Sequence, residues 1–216
     1  MSVWGIVLAG GGGTRFGGLK QFAVVGGRTM LERTVLTMQG VTDGIVLVLP
    51  EGHRPPDHLP VVHATGGETR AGSVRNGLAA VPEEAAVVVI SDAAHPLASP
   101  ALYAGVVAAV RAGADAAVPG LPLTDAVKTL NPDGTAGATI PAGGHVSAQM
   151  PMAFDAGALR AAHATIPEAV EDSAVVTANG GRVVLVPGDP TNVHVTTQAE
   201  LAVVQALLPL VDPTEA

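Results

Sequence analysis

The stretch from Leu8 to Phe22 holds the residue types best suited to chemistry. Ala9 leads into Gly10, Gly11, Gly12 and Gly13, then Thr14 and Arg15, and after two more glycines come Lys20 and Gln21. Glycines let successive backbone amides turn toward an anion with no Cβ in the way. Arg15 and Lys20 set two cations beside those amides. A guanidinium grips phosphate oxygens through two parallel bonds, and an ammonium acts as a point charge. Together they suit a triphosphate tail. Lys20 carries extra weight because the chain has only two lysines, Lys20 and Lys128. No Gly-Lys-Ser/Thr follows, so the stretch is not a P-loop. No acid stands at a clear strand end about twenty residues on, where the dinucleotide fingerprint requires one. The plain alternative is a flexible turn with solvated charges.

The elements around this loop give it a position. Val3–Leu8, Ile45–Leu49, Ala86–Ile90 and Ala114–Val118 read as buried strands, with Val61–Val62 a short one. Thr29–Met38, Ser73–Val81 and Pro100–Arg111 read as helices between them. This alternation predicts an α/β fold: a mostly parallel, twisted sheet with helices on both faces, Rossmann-like. Beyond Leu121 the pattern changes, and 123–150 reads as strand, turn and extended β-arm. Helices are expected at Asp155–Ala164, Glu171–Ala178 and Gln198–Leu208, a strand at Val183–Val186, and a frayed tail at Asp212–Ala216. The expected organisation is one domain over 1–216 with an arm inserted at about 131–150. Ligands of such sheets bind beyond the carboxyl ends of the strands. The loop after Leu8, Ser91–Asp92 and Asn192–Thr196 all fall there.

Composition narrows the classes. The 216 residues carry a net charge of −8 and only 2% aromatic residues, a poor basis for nucleic-acid binding. No apolar run is long enough to span a bilayer, and no basic leader precedes the first strand, so a cytoplasmic protein is expected. The absence of cysteine removes disulfides and thiolate metal sites.

Seven stretches together resemble the methylerythritol phosphate cytidylyltransferases and their ribitol phosphate relatives, which share the nucleotide-diphospho-sugar transferase fold. They are Ala9–Phe22, Gly66–Val74, Ser91–Pro96, Pro122–Lys128, Gln149–Met152, Glu171–Asp172 and Asn192–Thr196. The resemblance implies a nucleotidyl transfer: an acceptor phosphate attacks the α-phosphorus of CTP and pyrophosphate leaves. It implies that Ala9, Gly10, Gly11, Gly12, Gly13 and Thr14 line the base and phosphates. Arg15 and Lys20 would hold the triphosphate and act catalytically. Gly67, Glu68 and Ser73 would read cytosine and ribose, although Ser73 also has a purely structural reading as a helix N-cap. Asp92 would bind the nucleotide through Mg²⁺, which favours a carboxylate plus phosphate oxygens. Ala93, His95, Asp125, Ala126, Lys128 and His194 would form the acceptor side. The arm would exchange between the subunits of a homodimer.

The acceptor side departs from the family pattern. His95 stands where the family has arginine, His194 where it has lysine, and Asp125–Ala126 where it has an Asp-Thr pair. Histidine, with an ordinary pKa of about 6.5, is mostly neutral at pH 7. One charge-assisted bond to phosphate is worth roughly 1.5–3 kcal/mol. The expected consequence is an intact nucleotide half with a changed acceptor, another polyol phosphate or a phosphonate. Alternatives are that the histidines still bind phosphate, or that Asp92, His95 and His194 bind a metal. At the level of function the alternatives are a GTP-dependent transferase of the molybdopterin type and a non-catalytic nucleotide-binding homologue.

Overall fold

The structure, a computed structural model, describes residues 1–166 and 171–212. Val3–Leu8 (β1) is uncharged and buried over most of its length, as a central strand must be. Val24–Val25 (β2) and Arg28–Thr29 (β3) form a small hairpin, and Met30–Gln39 (α1) starts on a Thr29–Glu32 capping box. Gly44–Leu49 (β4) and Val62–Thr65 (β5) follow, then Arg70–Ala80 (α2), capped by Thr69. Val87–Asp92 (β6) leads to Pro100–Arg111 (α3), where Ser99 is the cap and Pro100 opens the first turn.

The second half runs Ala116–Pro122 (β7), Val127–Leu130 (β8), Ala136–Ile140 (β9), Val146–Ala148 (β10) and Met152–Asp155 (β11). Ala156–Thr165 (α4), Asp172–Ala178 (α5), Val183–Pro187 (β12) and Gln198–Val211 (α6) complete the described chain. The main sheet has the order β10, β7, β11, β6, β1, β4, β5, with β12 on β7. β1 pairs in parallel with β4 and β6, β4 with β5, and β7 with β12. β10 and β11 are antiparallel to their neighbours. The fold is therefore α/β with a mostly parallel sheet. No described helix is long and apolar enough to cross a membrane.

The strands alternate between two aliphatic layers. Val7, Leu47 and Val89 face α1 and α3 with Leu31, Val35, Tyr103 and Val106. Ile6, Val48 and Ile90 face α2, α4 and α5 with Val74, Leu78, Leu159 and Val175.

Three expectations change. Met152–Asp155, given no element between the arm ending at 150 and the helix expected from Asp155, is a strand inserted between β6 and β7. The β8–β9 hairpin starts at Val127, before 131, and Val146–Ala148 belongs to the main sheet rather than to a free arm. Ser73 is not a cap, because α2 begins one turn earlier on Thr69. Of the expected tail, 213–216 lie outside the described residues.

α2 crosses the sheet closely at Gly77. A Cβ there would lie 2.8 Å from Ile6 Cγ2 and 3.2 Å from Val48 Cγ2. Gly105 in α3 has no neighbour in the corresponding space. Gly77→Val should lower unfolding free energy by about 1–3 kcal/mol through overpacking. Gly105→Ala should raise it by about 0.5–1 kcal/mol. Urea denaturation of both variants checks the contrast, and an unchanged Gly77→Val would contradict the tight crossing.

Candidate active site

The carboxyl ends of β1 and β6 are level, with Leu8 opposite Asp92. Beyond them the Ala9 amide donates to Val48 O and the Ala93 amide to Leu8 O, which fixes where the two loops part. The glycine loop then turns on itself: the amides of Phe16, Gly17 and Gly18 all donate to Gly13 O. Gly13 has φ +64°, and a Cβ would fall 1.7 Å from Gly18 O, so only glycine fits. Buried Gln21 supports the loop from beneath through Nε2, which donates to Ala9 O at 2.8 Å and Gly11 O at 3.3 Å. Among the described residues, the amides of Gly10, Gly11 and Gly12 donate to no protein acceptor.

These glycines line a cavity of about 370 Å³. Its walls include Leu8, Ala9, Lys20, Gln21, Gly67, Glu68, Thr69, Arg70, Ser73, Asp92, Ala93, Ala94 and His194. Gly13 and Thr14 lie in the turn outside this lining, and exposed Arg15 stands near enough for its charge to act on Lys20 and His194. Opposite the glycine loop, Ser73 Oγ accepts from the Gly67 amide at 3.0 Å and donates to Thr69 O at 3.0 Å. Ser73 thus ties the Gly67 wall to the first turn of α2.

Lys20 opens a short 3₁₀ turn, and its Nζ donates to Val195 O at 2.7 Å. Burial lowers its pKa, Asp92 works to raise it, and Arg15 lowers it again. Burial pushes the Asp92 carboxyl above the usual range, against the pull of Arg70, His194 and Lys20. Arg70 Nη2 lies 3.7 Å from Asp92 Oδ1, while its Nη1 donates to Asp172 Oδ2 at 2.6 Å. Asp172 is also 3.1 Å from His163 Nε2 through Oδ1. Burial acts to raise the Asp172 carboxyl, but the His163 hydrogen bond and the Arg70 charge overcome it and hold it below the ordinary value.

The expected acceptor residues divide into two groups. Ala93 and His194 line the cavity. His95 is buried against His194, with ring centroids 4.8 Å apart and planes within 8°, and its Nδ1 is 3.2 Å from Asn192 Oδ1. Burial and the neighbouring His194 lower the His95 pKa to about 4. Burial, Lys20 and Arg15 also lower that of His194, with Asp92 opposing. Asp125, Ala126 and Lys128 are exposed on the arm, where Lys128 Nζ donates to Thr139 Oγ1 at 2.7 Å. The chain on its own does not bring these three to the cavity. Among the described residues no three His, Cys, Asp or Glu side chains converge on a common point, so an Asp92–His95–His194 metal site has no geometric basis.

Gln21, Arg70, Asp172 and His163 hold places at the site that their positions in the sequence do not disclose. Gln21, Arg70 and Asp172 stand inside the informative stretches, and Arg70 opens a helix beside a glycine pair, a readable signal. His163 carries no sequence signal of its own. Gln149 was also passed over: its side chain holds the loop before His194, donating to Asp189 O and Asn192 O and accepting from the Asp189 amide.

Residues 3–209 match the family model described as 2-C-methyl-D-erythritol 4-phosphate cytidylyltransferase. A protein of that name from Rhodococcus opacus is 38% identical, with 94% of this chain and 93% of the relative covered. The bifunctional enzyme IspD/IspF of Solidesulfovibrio magneticus is 38% identical over 94% of this chain. The chain spans only 56% of that relative, about half of its length. The crystal structure of 2-C-methyl-D-erythritol 4-phosphate cytidylyltransferase from Thermus thermophilus superimposes with a TM-score of 0.83 at 32% identity, covering 94% of this chain and 96% of that one. The cavity beyond β1 and β6 therefore sits in a chain that belongs to the 2-C-methyl-D-erythritol 4-phosphate cytidylyltransferase family of nucleotidyltransferases.

Proposed function

We propose that this chain transfers a cytidylyl group from CTP to the phosphate of a small polyol phosphate, releasing pyrophosphate. The observation that carries the reading is one cavity lined together by Lys20, Asp92 and Gly10, Gly11 and Gly12, whose amides donate to no protein acceptor among the described residues. Amides and cations around a triphosphate stabilise the charge that builds on the α-phosphate and the leaving group, and in-line positioning does the rest. Lys20 is tethered to Val195 O, so its ammonium is held at the cavity rather than free in solvent. Exposed Arg15 closes over the phosphates from outside. Gly67, Glu68 and Ser73 take the base and ribose. Of the two carboxylates that line the cavity, Glu68 and Asp92, Asp92 stands at the end of β6 level with the start of the glycine loop, and it would suit Mg²⁺ shared with phosphate oxygens. When bound, the ion adds positive charge at the phosphates.

The acceptor enters on the side of Ala93 and His194. A buried, neutral His95 stacked behind His194 offers phosphate no fixed charge at pH 7, which supports an acceptor preference shifted from methylerythritol phosphate toward another polyol phosphate or a phosphonate. The exposed Leu130 and Val127 of the β8–β9 hairpin support a homodimer in which this arm packs on a second copy.

Pyrophosphate release from CTP tests the core reading. The protein should turn over CTP with a polyol phosphate acceptor, and Lys20→Ala should lower kcat by about 10²–10³. No turnover with any polyol phosphate would leave a nucleotide-binding protein, and a full rate with methylerythritol phosphate would refute the shifted acceptor. The His95 environment predicts a pH effect with a definite sign. Its folded pKa is depressed to about 4 from an unfolded value near 6.5, so the unfolded chain binds the proton more readily. The stabilising contribution is complete above about pH 6.5 and about 3 kcal/mol of it is lost as pH falls to 4. Thermal melts at both pH values should show a smaller difference in His95→Gln. Light scattering should give twice the chain mass, and a monomer at micromolar concentration would remove the arm-exchange reading.

A further inference from the structure

We propose that Asp172 is a positioning residue: by holding one arm of the Arg70 guanidinium, it keeps that cation from closing on Asp92 and leaves the Asp92 carboxylate available to the cavity. This rests on the reading of Asp92 as the carboxylate that serves the nucleotide. Arg70 is the first residue of α2 and lines the cavity. Its Nη1 donates to Asp172 Oδ2 at 2.6 Å, a short charge-assisted bond. Its Nη2 is buried and has no hydrogen-bond partner, although Asp92 Oδ1 is only 3.7 Å away. A guanidinium and a carboxylate that close together, with nothing else acting on either, move to about 2.8 Å and pair in two parallel bonds. Arg70 does not do so.

The retaining side is built rigidly. The side chain of Asp172 is 2% exposed, and that of His163 3%. The two Asp172 oxygens are divided, Oδ2 to Arg70 and Oδ1 to His163 Nε2 at 3.1 Å. Asp172 therefore cannot follow Arg70 toward the cavity without leaving His163. Arg70 is fixed by the start of α2 on one side and by Asp172 on the other, and the gap to Asp92 is the result. The side chain of Asp92 is 26% exposed, open to the cavity on the face that Arg70 does not cover. Loss of the Asp172 charge would release Arg70 to pair with Asp92 and mask it.

Crystal structures without nucleotide, together with steady-state kinetics, test this for Asp172→Asn and for Asp172→Asn/Arg70→Gln. In Asp172→Asn the Arg70–Asp92 separation should contract to hydrogen-bond length, and KM for CTP should rise about tenfold, the size of one lost charge-assisted contact, with kcat changed much less. The double variant has no arginine to mask Asp92 and should recover part of that KM. A 3.7 Å gap retained in Asp172→Asn, or a double variant with KM no better than the single one, would overturn the proposal. If Asp172→Asn does not fold, the charge-balanced double variant decides against wild type: a KM raised less than tenfold supports the clamp, and a larger rise sinks it. The distance is read in nucleotide-free protein, so its failure is separable from failure of the transferase reading, which shows only in turnover.

Discussion

The structure depends on the register of one strand. β1 lies in parallel between β4 and β6, and Leu8 pairs with Val48 on one side and Asp92 on the other. Where that pairing ends, the chain after β1 leads to β4 on one side and the chain after β6 to β7 on the other, and the cavity opens beyond the two strand ends. The glycine loop has little conformational preference of its own. Its first residue is fixed by the Ala9 amide on Val48 O, and Gln21 pins its underside. A flexible segment thus acquires a defined shape from the sheet ladder beneath it.

Charge is then added to this crevice under tight compensation. Arg70, Lys20, Asp92 and Asp172 stand together at or beside the cavity, two of each sign. Burying any one of them unpaired would cost several kcal/mol. Burying all of them leaves a near-neutral cluster whose members shift one another's ionisation in opposing directions, as Asp92 and Asp172 show. The histidines follow a different rule. Two stacked imidazoles avoid the desolvation cost by remaining uncharged, which makes this wall of the cavity polar without making it cationic.

Much of this was legible in the residues. Unbroken apolar runs such as Val3–Leu8 announce buried parallel strands, and a Ser-Pro start fixes α3 at Pro100. Met152–Asp155 escaped because four residues behind a proline carry too little period to identify a strand, and its neighbours β6 and β7 lie far upstream. The site was legible where its chemistry is local, as in Ala9–Lys20, and invisible where it depends on distant pairs. Arg70 and Asp172 are 102 residues apart, and nothing at either position announces the other. Lys128 shows the converse. Its rarity drew attention, while in the single chain the strand pairing of the hairpin turns its ammonium to Thr139.

The tie between Lys20 and Val195 spans 175 residues. α6 adds to it by packing Val204 and Leu208 against Val25 and Met30 beneath the glycine loop. Closing so long a stretch of chain costs conformational entropy that the contacts at its end must offset. The strands that flank β1 end at Leu49 and Asp92, whereas the carbonyl that anchors Lys20 belongs to Val195. The ladder that outlines the crevice is therefore built from the early part of the chain, while the lysine inside it gains its anchor from a segment far downstream.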